Sequence, residues 1–361
     1  MRQIKDFTLR IVAGANIVTV VLMLLVGYSD RVDAAAHPLV GIIGLSFPLF
    51  LVADVAFLVF WLCVRKRWVV IPVAGLVLGY GPVTTYCPLS VSRDAPRGAL
   101  KVLTYNVFTF NGWTPGQEEG EVVRYLARQD ADVVCLQEAA TQPWQWEQIK
   151  ERLGRQYPHV DTSKCKASWG DDIMVLSKFP IVRKERVSYE SKTNQSCAFW
   201  LLTARGDTTI LVANHLESVG IPAEMKRRFK HMVKGELRGD SAREESRQLY
   251  SMLAEATQRR APQAVAVAEY VRRHRRYPVI LCGDFNDSPI SYVHRTIARQ
   301  LTDCYTATGN GPGISYHSNA FYVRIDNIMC SSHFTPYDCH VDRSITASDH
   351  YPVVGWVKRE K

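Results

Sequence analysis

The run Pro278-Val279-Ile280-Leu281-Cys282-Gly283-Asp284-Phe285-Asn286-Asp287-Ser288-Pro289 decides how this 361-residue chain folds. Its opening is apolar and β-branched, and short enough for a buried strand. Gly283 interrupts the run, and Asp284 and Asn286 follow at once, with Pro289 closing the segment. A strand that ends in an acid and an amide puts polar groups at the edge of a sheet. There they gather around a site without leaving a buried charge unpaired.

Working outward, the same signature recurs. Asn106 follows Val-Leu-Thr-Tyr, Gln137-Glu138 follows Asp-Val-Val-Cys-Leu, and Asn214-His215 follows Ile-Leu-Val-Ala. Ser348-Asp349-His350 stands just before Tyr-Pro-Val-Val-Gly, and Asp326 interrupts the apolar run Ile325–Met329. Strands are expected at Leu100–Tyr105, Val133–Leu136, Ile173–Ser177, Thr209–Ala213, Pro278–Cys282, Ile325–Met329 and Val353–Val357. Helices are expected at Glu118–Gln129, Trp144–Gln156, Ala223–Lys234, Ala242–Thr257, Pro262–Arg276 and Tyr292–Arg299. Alternation of the two types makes residues 100–361 one α/β domain, with a helical insert over about 218–276 and a linker over 93–99. From residue 98 onward the chain has 35 basic and 30 acidic residues. That balance carries no basic stripe interleaved with aromatics, so composition does not favour nucleic-acid binding.

The first 92 residues have a different composition. No charge occurs between Arg10 and Asp30. Three membrane-spanning helices are expected, over about 11–28, 39–64 and 68–89. Two spans following the first argue against a cleaved signal peptide. Arg2, Lys5 and Arg10 precede the first span and Arg65, Lys66 and Arg67 separate the second from the third. The excess of Lys and Arg places both stretches in the cytoplasm and the large domain outside it. Asp54 is the one charge within a span and is read as a hydrogen-bonded residue inside a small bundle.

Taken in order, the six polar clusters resemble the endonuclease/exonuclease/phosphatase superfamily. The match runs over about residues 100–358, with Gly-Asp-Phe-Asn…Asp-Ser-Pro and Ser-Asp-His-Tyr-Pro-Val as its most specific pieces. The resemblance implies a four-layer α/β/β/α sandwich of the deoxyribonuclease I type, preceded here by the three transmembrane helices. It implies a Mg²⁺ ion, with Mn²⁺ as a substitute, held mainly by Glu138 with Asn106 and Asp349 beside it. A hard cation of this kind takes few carboxylates and keeps waters for a substrate phosphate. Asp284 would orient or deprotonate the attacking water and Asn286 would hold that geometry. His350 would contact the phosphoryl oxygens with its tautomer fixed by Asp326, and His215 would donate near the phosphate. The expected activity is phosphoester hydrolysis by in-line attack of water. The substrate is a nucleic acid, a lipid headgroup or a soluble ester. A phosphomonoesterase of inositol or sugar phosphates and a catalytically silent binding module are the alternatives, and no protein partner is implied.

Two departures from the family pattern stand out. Asn214 takes the place where many members have Thr before the His, which opens the role of Asn214 but not of His215. Asp171 and Asp172 precede the strand Ile173–Ser177 where small residues are usual, and are read as a solvated loop ahead of a second-metal or hydroxyl-binding role. In the insert, Met225, Phe229, Met232 and Val233 fall at helical spacing with Lys226, Arg227, Arg228 and Lys230 between them. This helix is read as packed on the domain with a solvated basic face; the rival reading is a contact with a membrane surface or an anionic substrate. Arg259 and Arg260 are read as part of a helix start. Outside the cytoplasm, Cys165 with Cys197 and Cys304 with Cys339 are the candidate disulfides.

Overall fold

The computed structural model describes residues 2–91, 93–117, 119–165, 170–203, 206–236 and 239–360. Glu118, an expected helix start, lies outside them.

The N-terminal runs form helices over Arg2–Gly27 (α1), Pro38–Ile43 (α2), Phe47–Val64 (α3), Val70–Leu78 (α4) and Tyr80–Tyr86 (α5). Two stretches, Gln3–Arg31 and Pro38–Val64, are long and apolar enough to cross a membrane. Ile11, Val18, Leu49, Val52 and Val59 project outward from them, an apolar exterior that suits lipid. The third expected span, 68–89, is broken: α4 and α5 meet at a 70° bend and together pass as one span by length and composition. Gly79, Gly81 and Pro82 crowd the break, and all are poor helix formers. Inside the bundle Asn16 Nδ2 donates to Asp54 Oδ1 over 3.2 Å and Trp61 Nε1 donates to Asn16 Oδ1 over 3.0 Å. Asp54 is therefore a hydrogen-bonded interior residue, as its sequence context suggests.

In the large domain the strands are Leu100–Asn106 (β1), Val133–Gln137 (β2), His159–Ser163 (β3), Ile173–Ser177 (β4), Ile181–Val187 (β5) and Gln195–Leu202 (β6). They continue with Thr208–His215 (β7), Val279–Asp284 (β8), Thr302–Asp303 (β9), Asp326–Cys330 (β10), Phe334–Val341 (β11) and Val353–Arg359 (β12). They make two six-stranded sheets in the orders β11-β12-β1-β2-β4-β3 and β5-β6-β7-β8-β10-β9. Successive side chains of a strand point to opposite faces, and both faces here are covered. Val102, Val133, Cys135, Ile173 and Val175 of the first sheet meet Phe199, Leu211, Ile280, Cys282 and Ile328 of the second.

On the outer face of the first sheet, Leu103, Tyr105 and Val134 pack under Glu121–Gln129 (α6) and Pro143–Leu153 (α7). On the outer face of the second, Ile210, Val212 and Leu281 pack under Asp240–Arg273 (α9) and Tyr292–Ala298 (α10). The result is the four-layer α/β/β/α sandwich. Ala223–Val233 (α8) stands beside it with no buried residue, and Cys304–Thr308 (α11) is a short turn on β11. The expected break at Pro262 does not occur: α9 runs through it, held by Ala264, Val267, Tyr270 and Val271 in the core. All nine cysteines are free thiols, so neither candidate disulfide forms.

The apolar helices seat directly on the sandwich. A Cβ on Gly44 would stand 1.9 Å from the Ile290 carbonyl oxygen. Met23, Val26 and Phe47 form one buried cluster with Ile290. Gln258 donates to the Ala35 carbonyl over 3.2 Å, Arg324 to the Thr85 carbonyl over 2.5 Å, and Arg295 pairs with Asp30 at 3.5 Å. The opposite helix ends are joined by Asp6 and Arg65 at 2.6 Å.

Within the sandwich, Gly283 has φ of +129°, and a Cβ there would stand 1.9 Å from the Asn214 carbonyl oxygen. Only glycine accepts both conditions at the β7–β8 contact. Gly283→Ala is expected to cost about 3 kcal/mol of stability or more, read by denaturation of the purified chain. A midpoint equal to wild type would refute the close approach.

Candidate active site

The inward rows of the sandwich turn polar at one edge. In β1 the row Val102, Thr104 ends in Asn106; in β7 Leu211, Ala213 end in His215; in β8 Ile280, Cys282 end in Asp284. β1 runs parallel to β2, and β7 parallel to β8, so within each sheet these ends coincide. β10 is antiparallel to β8 and places its first residue, Asp326, in register with Asp284. β12 is antiparallel to β1, so His350, just ahead of it, arrives at the same edge. Asn106 Nδ2 crosses between the sheets, donating to Glu138 Oε1 over 2.9 Å and to Asp284 Oδ2 over 3.2 Å.

Local backbone supports this gathering. Glu138 and Asn286 adopt φ of 50° and 51°, positions that cost a non-glycine residue of order 1 kcal/mol. Each is held by what surrounds it. The Glu138 carbonyl accepts from Thr109 N at 2.8 Å. Asn286 N donates to Asp284 Oδ1 at 2.7 Å, and its side-chain amide to the Leu216 carbonyl at 3.0 Å. Asn286 thus braces the Asp284 loop. Asn214 Nδ2 bonds the Val212 and Cys282 carbonyls, so its amide ties strands together. Arg260 is no helix start: it is buried mid-helix and donates to Asp287, the Glu217 carbonyl and Thr257 at 3.3, 3.0 and 3.0 Å.

Charges at the edge are strongly coupled to burial. Burial pushes the Asp284 carboxyl up, to about 6; Asp326 repels it further, and His350 and His215 partly offset the rise. Burial likewise raises Glu138, opposed by the Asn106 amide. For His350 burial alone would favour the neutral ring, but Asp326 and Asp284 outweigh it and carry the imidazole to about 10. It is a cation at neutral pH. Its Nδ1 donates to Asp326 Oδ2 over 2.8 Å, which leaves Nε2 facing Asp284 Oδ2 at 3.8 Å.

His215 stands between the acids. Its Nε2 is 3.8 Å from Glu138 Oε1 and 3.8 Å from Asp284 Oδ2, and its Nδ1 is 3.8 Å from Asp171 Oδ1. Both ring nitrogens are buried and find no hydrogen-bond partner among the described residues. Ligand atoms of Glu138, Asp171 and His215 lie within 4.8 Å of one another, as do those of Asp284, Asp326 and His350. Half-buried Asp349 lines the same cavity and adds its charge to that around Glu138. Carboxylates this close fit a divalent cation that would relieve their mutual repulsion.

Every residue singled out for the site in the sequence therefore reaches this edge. Asp171, read first as a solvated loop residue and second as a metal-site candidate, is part-buried at this edge: the inward row Val175, Ile173 of β4 leads back to it. Asp172 falls on the other face, where it accepts from Cys165 N at 2.7 Å.

A profile described as the Endonuclease/Exonuclease/phosphatase family matches residues 103–350. The chain belongs to that family. Its members are phosphoester hydrolases that use divalent metal ions. A second profile, described as a domain of unknown function, matches residues 9–86. No curated protein sequence matches the chain. Among solved structures, truncated TDP2 of Caenorhabditis elegans is 15% identical with a TM-score of 0.51, covering 73% of this chain and 99% of that one. An endonuclease/exonuclease/phosphatase from Beutenbergia cavernae is 19% identical with a TM-score of 0.50, covering 73% and 72%. The human Nocturnin catalytic domain, with a bound sulfate anion, is 16% identical with a TM-score of 0.50, covering 75% and 96%. These likenesses show the shared fold.

The pH dependence follows from the signs. Asp284 and His350 both bind protons more tightly in the fold than in the unfolded chain. Stability from Asp284 is present below about pH 4 and lost as pH rises through 6; stability from His350 is lost as pH rises through 10. The chelator-treated protein is expected to melt lower at pH 9 than at pH 5, and Mg²⁺ to raise its melting point more at pH 9. Asp284→Asn should remove the slope below pH 6 and His350→Gln the slope above pH 7. Slopes that persist in both variants would show that other groups carry them.

Proposed function

We propose that this chain is a membrane-tethered, Mg²⁺-dependent phosphodiesterase whose catalytic domain faces the extracytoplasmic side. The observation that supports it most is the charged His350, locked by Asp326 and aimed at the acid pair Glu138–Asp284 across one cavity. Such a bowl matches a phosphodiester: a cation for its oxygens, carboxylates for an ion, and an acid poised near pH 6 to take a proton from water.

Glu138, with Asn106, Asp349 and Asp171 around it, would hold the ion. When bound, Mg²⁺ neutralises charge on the phosphoryl oxygens. His350 donates from Nε2 to a phosphoryl oxygen. Asp284 accepts a proton from the attacking water, whose oxygen bonds to phosphorus, while Asn286 holds the Asp284 loop rigid. The bond from phosphorus to the leaving ester oxygen breaks, and His215 supplies the proton that oxygen needs. The packing supports this membrane side: the domain seats on the helix ends near Asp30, Ala35, Gly44 and Thr85, away from Arg65–Arg67. With the basic turn cytoplasmic, the domain lies outside.

Glu138→Ala and His350→Ala are each expected to lower turnover of a bis-aryl phosphodiester by about a hundredfold or more. Asp171→Asn should raise the Mg²⁺ concentration needed for half-maximal rate. Near-wild-type kinetics from Glu138→Ala or His350→Ala would sink the assignment, and faster turnover of an aryl phosphomonoester would favour the monoesterase reading. A tag placed after Lys361 is expected to be reached by an impermeant reagent in intact cells; protection until lysis would reverse the orientation.

A further inference from the structure

The cavity that contains Glu138, Asp284 and His350 encloses about 270 Å³ and is not walled by the sandwich alone. Ile42 and Leu45 reach it from the stretch Pro38–Val64, which is long and apolar enough to span a membrane. Leu253 of α9 and the loop residues Val219 and Ile221 continue the apolar wall. Phe321 and Tyr322 also line the cavity, and Phe321 is stacked on Phe229 of α8 at 4.3 Å.

Leu45 is 37% exposed and stands between the outward-facing Leu39 and Leu49 of the same stretch. One side chain thus belongs both to the helix surface that would face lipid and to the wall of the catalytic cavity. The seating of Gly44 on the Ile290 carbonyl leaves no room for a side chain there and fixes this alignment. Cations on the cavity wall among the described residues, Lys226, Arg260 and His350, already bond Tyr316, Asp287 and Asp326. A polyanion such as nucleic acid needs several free cations along its track; a hydrocarbon chain needs an apolar wall reached from the bilayer.

We propose that the apolar wall of Ile42, Leu45, Val219, Ile221 and Leu253 is a hydrocarbon-chain subsite. The substrate is then a lipid phosphodiester drawn sideways from the bilayer, its phosphate lying between Glu138 and His350 and its chain along α2 and α9. This inference rests on the phosphodiesterase reading above and names the substrate class for that site. The first wall of the subsite comes from the anchor, so the anchor is part of the binding site as well as a tether.

The test uses the full chain in vesicles with Mg²⁺. Phosphodiester lipids with choline, ethanolamine and glycerol headgroups, in short- and long-chain forms, are compared with a bis-aryl phosphodiester and an oligonucleotide. At least one headgroup series is expected to gain about tenfold or more in kcat/KM from short to long chains. Leu45→Trp and Leu253→Trp, which fill the wall from two elements, should each cut the long-chain to bis-aryl ratio by about tenfold.

In parallel, a long-chain phosphodiester lipid with a photoreactive group in its tail is expected to label peptides containing Val219–Ile221 and Leu253, which lie outside the spanning stretches. Labelling confined to α1, α3 and α4 would overturn the subsite, as would a ratio indifferent to chain length and to both variants. An oligonucleotide cleaved faster than every lipid would overturn it too. If the tail labels Leu253 but neither the lipids nor the bis-aryl ester is cleaved, the subsite stands and the phosphodiesterase reading fails. Bis-aryl turnover without tail labelling gives the reverse.

Discussion

Asp284 and Asp326 are buried register partners on adjacent strands, and two carboxylates so placed cannot both ionise without a cation to face them. His350 is that cation from the protein's own side. Its strand β12 must therefore run beside β1 with its start at the catalytic edge. Ser348 Oγ ties this turn to the Asn106 carbonyl at 2.8 Å and caps His350 N at 3.2 Å. The first sheet thus delivers the counter-charge for acids of the second, and Asn106 bonds across the gap. Much of what is unusual in the backbone here, from the positive φ of Glu138 and Asn286 to the glycine at 283, serves this meeting of two sheet edges.

Seen from the core, the site is the same architecture with different residues. Rows that bury Val, Ile and Cys in the middle of the sandwich end in Asn, His and Asp at its rim. Burial has one cause and two results: in the middle it stabilises apolar side chains, and at the rim it lifts carboxyl groups and leaves imidazole nitrogens without partners. The metal site proposed at Glu138 and Asp171 rests on the second result, because a divalent ion would relieve the repulsion that burial intensifies.

Much of this was legible in the sequence because the signals were local. All seven expected strands exist, each an apolar run bounded by polar residues. Of the strands that were not expected, β6 has that form, with Cys-Ala-Phe-Trp-Leu-Leu behind Gln195 and Ser196, and was overlooked; β5 and β11 lack it. β5 reads Ile-Val-Arg-Lys-Glu-Arg-Val, its charges exposed on an edge; β11 contains Pro336 and Asp338 and is irregular between Tyr337 and His340. α9 runs through Pro262 because tertiary packing on both sides outweighs the lost hydrogen bond. Asp171 was misread because its meaning depends on which face of β4 turns inward, and that is settled only by the partner sheet. The docking of the apolar helices on Ile290 was not legible, since Gly44 carries no side chain to announce a contact.

That docking changes what the apolar helices mean. If they only held the domain near a surface, a mobile linker would do, and residues 93–99 would be the natural place for it. Instead the chain forms direct bonds from Ala35, Thr85 and Ser90 to the domain, the last to Asn310 at 2.9 Å. It also buries Met23, Val26 and Phe47 against Ile290, four residues beyond Asn286. A rigid seat restricts how the domain meets its substrate, and that restriction is useful when the substrate arrives from the direction of the helices. The bend between α4 and α5 fits the same geometry: it brings Thr85 to Arg324, which leads directly into β10 and Asp326. The apolar helices and the buried acids are thus parts of one construction, joined through Ile290 on one side and Arg324 on the other.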